Sequence, residues 1–241
     1  MIFEIPGDAP TEWTGIVHLP APSDMSRGGF ILPMEDGRWI VSLGERHGEG
    51  MPGDLDGFIA LTKTFRTPTI HDAIRNAKPL GDIARYNLPA SVRRRFDKLD
   101  RFPRGLIPLG DSVCRFNPVF GQGMSVAAME AVVLGKQLPS HSTRADPLDG
   151  LAGDYLTEIQ DCLEAPWATA VSDFVHPLTR GERPPDFDKR MQYGMALTSL
   201  AADDADVHKT LAEVTHLLKP QSALREPELA GRVTGLMAAP A

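Results

Sequence analysis

Between residues 105 and 138 the chain passes from a short apolar run, through a loop punctuated by glycine and proline, into a long stretch of small apolar residues. Leu106, Ile107 and Leu109 are apolar and stop at Gly110-Asp111. That is the pattern of a strand buried on both faces whose last carboxylate emerges at the edge of a sheet. Ligands of open α/β folds bind at that edge. From Met124 on, Val126, Ala127, Met129, Ala131, Val132, Leu134 and Leu138 predict a helix that is apolar nearly all round, hence buried.

Other elements follow from the same patterning. Residues 29–33 and 38–43 alternate around Met34-Glu35-Asp36-Gly37 and predict a hairpin, with Asp-Gly where positive φ is needed. Residues 1–6 read as the tail of a strand without a partner before it, 13–19 as a further strand, and 20–26 as a loop. The glycine-rich segment 44–53 contains no Lys-Ser or Lys-Thr step, so it is a connection rather than a phosphate loop. Helices are predicted over 54–65, with Leu55, Phe58, Ile59 and Leu61 on one face, and over 68–76, starting at Thr69. Residues 78–88 pattern as a strand and 91–99 as a polar connection. Polar, turn-rich residues 139–147 form a loop. Beyond it, helices are expected over 148–172, kinked or ended by Pro166, over 187–200, over 204–218 with Asp203 and Asp204 in capping position, and over 227–236.

The expected class is therefore α/β with α+β character: an antiparallel sheet and connecting helices over 1–104, a strand, loop and helix over 105–140, and a helical tail over 141–241. A chain of 241 residues with 42% hydrophobic and 24% charged residues is an ordinary folded protein with ample core. A net charge of −7 argues against a nucleic-acid partner, and the Arg93-Arg94-Arg95 triplet, followed by Asp97 and Asp100, reads as a solvated run. Two cysteines outside any CxxC pair, no signal-peptide pattern and no long uncharged apolar segment point to a cytoplasmic protein without a transmembrane segment.

The candidate chemistry lies at the start of the long helix. The first turns of a helix leave backbone N–H groups unpaired and carry about half a positive charge. No Asp or Glu stands between Gly121 and Met129 to answer it, and the glycines allow close approach of another molecule. A ligand with an electron-rich edge is the expectation. As a dinucleotide fingerprint the stretch fails, because Val126 stands where a third glycine is needed. As a nucleophile elbow, Gly123-Met124-Ser125-Val126-Ala127 lacks the second glycine and follows a loop instead of a strand. The seven histidines are scattered without metal-ligand spacing and are expected at the surface, and Cys114, between Val113 and Phe116, reads as a small buried thiol.

Gly110-Asp111, Asn117-Pro118 and Gly121-Gln122-Gly123-Met124 together resemble the second flavin-contact motif of the FAD-dependent monooxygenases of the aromatic-hydroxylase-like family. The hairpin from Pro33 through Gly37 to Ile40, the Arg85-Tyr86 segment, residues 99–103 and the helical tail resemble the second half of that family. The resemblance implies a partial FAD/NAD(P)-binding fold with FAD as cofactor and NAD(P)H as electron donor. It implies insertion of oxygen into a small organic substrate through a flavin hydroperoxide, or, within the same cradle, a reductase or halogenase. It gives Gly110 and Asp111 to the ribityl chain, Pro118 to the loop beside the ring, and the backbone donors of Gly121, Gln122, Gly123 and Met124 to the ring edge. Phe30, Leu32, Trp39 and Val41 would line the substrate side, with a plain core role as the alternative. No side chain is implied as acid or base, and no metal.

The sequence departs from the family in two places. Gly110-Asp111-Ser112-Val113-Cys114 stands where many members have Gly-Asp-Ala-Ala-His, and the amino-terminal βαβ unit with its glycine fingerprint and the second Asp-Gly motif are missing. An inactive fragment or split flavoprotein, completed by a Rossmann-type chain that supplies the ADP site, is therefore the competing expectation.

Overall fold

The computed structural model describes residues 1–9, 12–20, 26–48 and 50–238. Most of the loop expected at 20–26 and one residue of the glycine-rich segment thus lie outside the described residues. The fold is mixed α/β with a small antiparallel sheet, and the chain divides into two compact units, residues 1–87 with 173–180, and residues 88–172 with 181–241. This division differs from the boundaries at 104 and 140 read from the sequence.

In the first unit the strands β1 (Ile2–Glu4), β2 (Ile16–His18), β3 (Gly28–Met34) and β4 (Arg38–Gly44) form one sheet in the order β1-β4-β3-β2, every neighbour antiparallel. The hairpin forms as its turn chemistry dictates, with Asp36 and Gly37 at φ 61° and 65° between the closing pair Met34 and Arg38. β1 does find a partner, since Phe3 pairs with Trp39 of β4. The strand expected over 78–88 reduces to residues beside β1, where Pro79 bridges Phe3 and the Leu80 amide donates to Ile2, and Tyr86 is 90% exposed. Phe3, Ile31, Trp39 and Val41 on one sheet face pack with Phe58 of α1 (Leu55–Thr62), with Phe65, and with Ile70 and Ile74 of α2 (Thr69–Ile74). Asp54 caps α1 by accepting the Gly57 amide at 2.8 Å.

The second unit contains the two-residue strands β5 (Val92–Arg93), within the segment 91–99 expected to be only a connection, and β6 (Cys114–Arg115), in the loop before the long helix; the two pair antiparallel. Its core gathers Val113, Cys114 and Phe116 with Val126 and Val133 of α3 (Gly123–Ser142), Tyr155 and Leu156 of α4 (Leu151–Glu158), Ile159, and Leu163 of α5 (Gln160–Ala170). A second cluster joins α6 (Phe187–Asp203), α7 (Ala205–Thr215) and α8 (Pro227–Ala238) through Leu197, Ala201, Val207 and Val233. Asp204 caps α7 by accepting the Asp206 and Val207 amides, as its position predicts.

Four expectations are corrected here. Residues 106–109 form no strand: Leu109 is extended at φ −144°, ψ 150°, but no strand among the described residues pairs with the segment, and Leu106 and Leu109 are 52% and 38% exposed. An extended segment becomes a strand only when a neighbour takes its amides and carbonyls. Next, α3 buries one face only, through Val126, Glu130, Val133 and His141, and leaves Met124, Val132 and Leu138 at 88%, 56% and 47% exposure. It also runs through Pro139 into the expected loop, because the last turn is held by buried His141, whose Nε2 lies 3.0 Å from Asp154 Oδ2. Finally, the tail helix breaks at Ile159 and not at Pro166, which sits buried inside α5. The break places the fully buried Ile159 in the core.

Candidate functional site

Gly110 and Asp111 lie in a 3₁₀ turn, Gly110–Ser112, that is tied on every side. Gly110 has φ 61°, and a Cβ there would meet the Ala127 Cβ at 3.3 Å, so both backbone conformation and space call for glycine. The Leu109 amide donates to Ser112 Oγ at 2.9 Å and the Ser112 hydroxyl donates back to the Leu109 carbonyl at 2.8 Å. The Gly110 amide donates to Glu130 Oε2 at 2.6 Å. Arg94 Nη1 donates to the carbonyls of Asp111 and Ser112 at 3.1 and 3.3 Å. The Asp111 side chain itself is exposed and makes no hydrogen bond or ion pair with the described residues.

The loop that follows closes on itself. Asn117 Oδ1 accepts the Val119 amide at 3.1 Å, the Phe120 amide donates to the Asn117 carbonyl, and the Gly121 amide donates to the Pro118 carbonyl at 3.0 Å. Pro118 opens this single 3₁₀ turn, Pro118–Phe120, and Gly121 ends it at φ 67°. α3 then starts with no acid in its first turn and no side-chain cap. Its first backbone bond is Val126 N–H to the Gln122 carbonyl at 3.0 Å, and the amides of Gln122, Gly123 and Met124 have no acceptor among the described residues. A Cβ at Gly121 or Gly123 would meet nothing within 4 Å, so space is open beside both.

Some roles assigned from the sequence change. The Gly121 amide is engaged by Pro118 and is no free donor, which leaves Gln122, Gly123 and Met124. The Gln122 side chain is buried and its Nε2 donates to the Thr215 carbonyl at 3.1 Å, so it joins the start of α3 to the end of α7. Met124 stands out at 88% exposure. The four sheet residues divide between two faces, because cross-strand partners share a face and Phe30 pairs with Ser42, Leu32 with Ile40, Ile31 with Val41 and Pro33 with Trp39. Trp39 and Val41 belong to the buried core and do not line an open surface, except that Trp39, with Trp13, Pro6 and Pro33, borders a cavity of about 360 Å³. Phe30 and Leu32 lie on the opposite, open face, where Leu32 is 43% exposed.

Glu130 and Arg94 were not singled out from the sequence, although Glu130 is the lone acid of α3 and could have been. Of the arginine triplet, Arg94 and Arg95 are exposed as expected, although Arg94 holds the turn and Arg95 pairs with Asp97, whereas the Arg93 side chain is largely buried and reaches Gln160 Oε1 at 3.0 Å. His141, expected at the surface, is buried, and with Arg144, Asp154 and Glu158 it borders a cavity of about 410 Å³. Cys114 is the buried thiol expected, and burial pushes its pKa up to about 12. At neutral pH this favours the protonated thiol.

No family model matches the chain. It is 35% identical over 144 residues to Protein Rv3254 of Mycobacterium tuberculosis (strain ATCC 25618 / H37Rv), a match that takes in 60% of this chain. The matched part spans 29% of the relative's length. No helix of the described residues is long and apolar enough to cross a membrane.

Proposed function

We propose that Gly110, Asp111, Pro118 and the start of α3 form the ribityl-and-ring half of an FAD site, in an oxidoreductase that inserts oxygen into an organic substrate. One observation carries the reading. An unpartnered carboxylate, Asp111, is presented by a rigid turn packed on α3, a helix whose start has free amides, open glycines and no acid of its own. The donor set suits a flavin: Asp111 accepts from a ribityl hydroxyl, and the amides of Gln122, Gly123 and Met124 face an electron-rich ring edge. Bound flavin would supply the electron transfer and oxygen chemistry. This chain's residues orient it and stabilise negative charge, and no side chain is required as acid or base.

A second reading has its own support: this chain holds half of a split or larger flavoprotein and needs a Rossmann-type partner for the ADP site. Leu109 is extended without a partner strand among the described residues, and Leu106 and Leu109 are exposed, which suits an edge awaiting a sheet. Titration with riboflavin and with FAD, followed by flavin fluorescence, tests both readings. Asp111→Ala is expected to weaken riboflavin about tenfold, the loss of one hydrogen bond to a charged group. Equal affinity in the variant refutes the site. FAD binding far tighter than riboflavin would refute the second reading, since the ADP half would then have a home in this chain.

A further inference from the structure

Glu130 is fully buried, yet it is charged or polar in a core otherwise made of Val113, Val126, Tyr155, Leu156 and Ile159. One carboxyl oxygen accepts the Gly110 amide at 2.6 Å, and the other, Oε1, has no protein partner among the described residues. An uncompensated buried carboxyl costs several kcal/mol in general, so apolar packing cannot be its purpose. From the other side Arg94 donates to the carbonyls of Asp111 and Ser112. The Gly110-Asp111 segment is thus gripped at its amide end by a carboxyl and at its carbonyl end by a guanidinium.

We infer that Glu130, assisted by Arg94, is the positioning residue of the Asp111 turn, and that its ionisation sets how firmly Asp111 is aimed at its ligand. The inference rests on the flavin reading for the identity of that ligand. A carboxylate accepting an N–H makes a bond about twice as strong as its neutral form does, so ionised Glu130 tightens the turn and protonated Glu130 loosens it. The titratable groups that feel Glu130 are Cys114 on β6, Tyr155 on α4 and Cys162 on α5. Burial pushes both thiols and the Tyr155 phenol upward, so they stay neutral while Glu130 titrates.

The test uses the 241-residue chain and riboflavin, which carries ring and ribityl chain without ADP. In the wild type, affinity is expected to rise with pH and to level at the upper end of the profile, once Glu130, whose carboxyl burial holds above its ordinary value, is ionised. Glu130→Gln keeps the shape and an acceptor but no charge; it should weaken riboflavin about fivefold at the upper end and flatten the pH profile. Arg94→Gln should weaken binding about threefold and leave the profile intact. An unchanged affinity and profile in Glu130→Gln, with Asp111→Ala weakened, overturns the inference and spares the flavin reading. If the wild type binds no riboflavin, the flavin reading falls, and the Gly110 amide proton decides the clamp by itself. A downfield resonance that titrates in the wild type and not in Glu130→Gln upholds it, and a resonance that does neither overturns it.

Discussion

Gly110→Ala perturbs the turn at one atom. An L-residue at φ 61° costs about 1–2 kcal/mol, and the new Cβ at 3.3 Å from the Ala127 Cβ adds up to about 1 kcal/mol of crowding, whereas stiffening the unfolded chain returns about 0.5 kcal/mol. The expected net loss is about 2 kcal/mol. With a slope of about 2 kcal/mol per molar urea, the unfolding midpoint followed by far-UV circular dichroism should fall by about 1 M at unchanged slope. Repeating the substitution in an Ala127→Gly background separates the two causes. There the crowding is gone and the backbone strain stays, so the same change should cost about 1 kcal/mol. A loss below about 0.5 kcal/mol in both backgrounds would refute the claim that this turn needs a left-handed residue.

Stability should also depend on pH through Glu130. Burial raises its pKa from an ordinary value of 4.5, so its contribution is fully present below 4.5 and is lost as pH rises through the raised folded value. Urea unfolding of the wild type should therefore show stability declining over that window with a slope of at most about 1.4 kcal/mol per pH unit, and Glu130→Gln should remove this component of the decline. The two faces of the sheet predict opposite sensitivities. Trp39→Ala, at a side chain 3% exposed, should cost about 3–5 kcal/mol by thermal or urea unfolding, and Leu32→Ala, 43% exposed, under about 1 kcal/mol. Equal losses would contradict the register that sets Trp39 inside and Leu32 outside.

Much of the local structure could be read from residue order. Asp36-Gly37 fixed its hairpin, Asp54 and Asp204 marked helix starts, and the absence of an acid after Gly121 held true at the start of α3. These are short-range matters, settled by which φ a residue tolerates and which side chain reaches a free amide. Residues 106–109 and 78–88 depart from their patterning because an apolar or alternating run fits a strand only when another strand lies alongside, and pairing is not a property of the run itself. Trp39 and Val41 separate from Phe30 and Leu32 because alternation gives two faces for each strand but not which faces coincide across the pair.

The sequence alone determined that a proline loop, glycines and an acid-free helix start follow Asp111 within a few residues along the chain. The tertiary structure alone decided what holds that carboxylate in place. Glu130 and Arg94 reach the turn from different sides, one a buried acid of α3 and the other beside a short strand the patterning did not reveal. Such pairings arise from packing at a distance in sequence, where the need to satisfy a buried amide and carbonyl selects the partner.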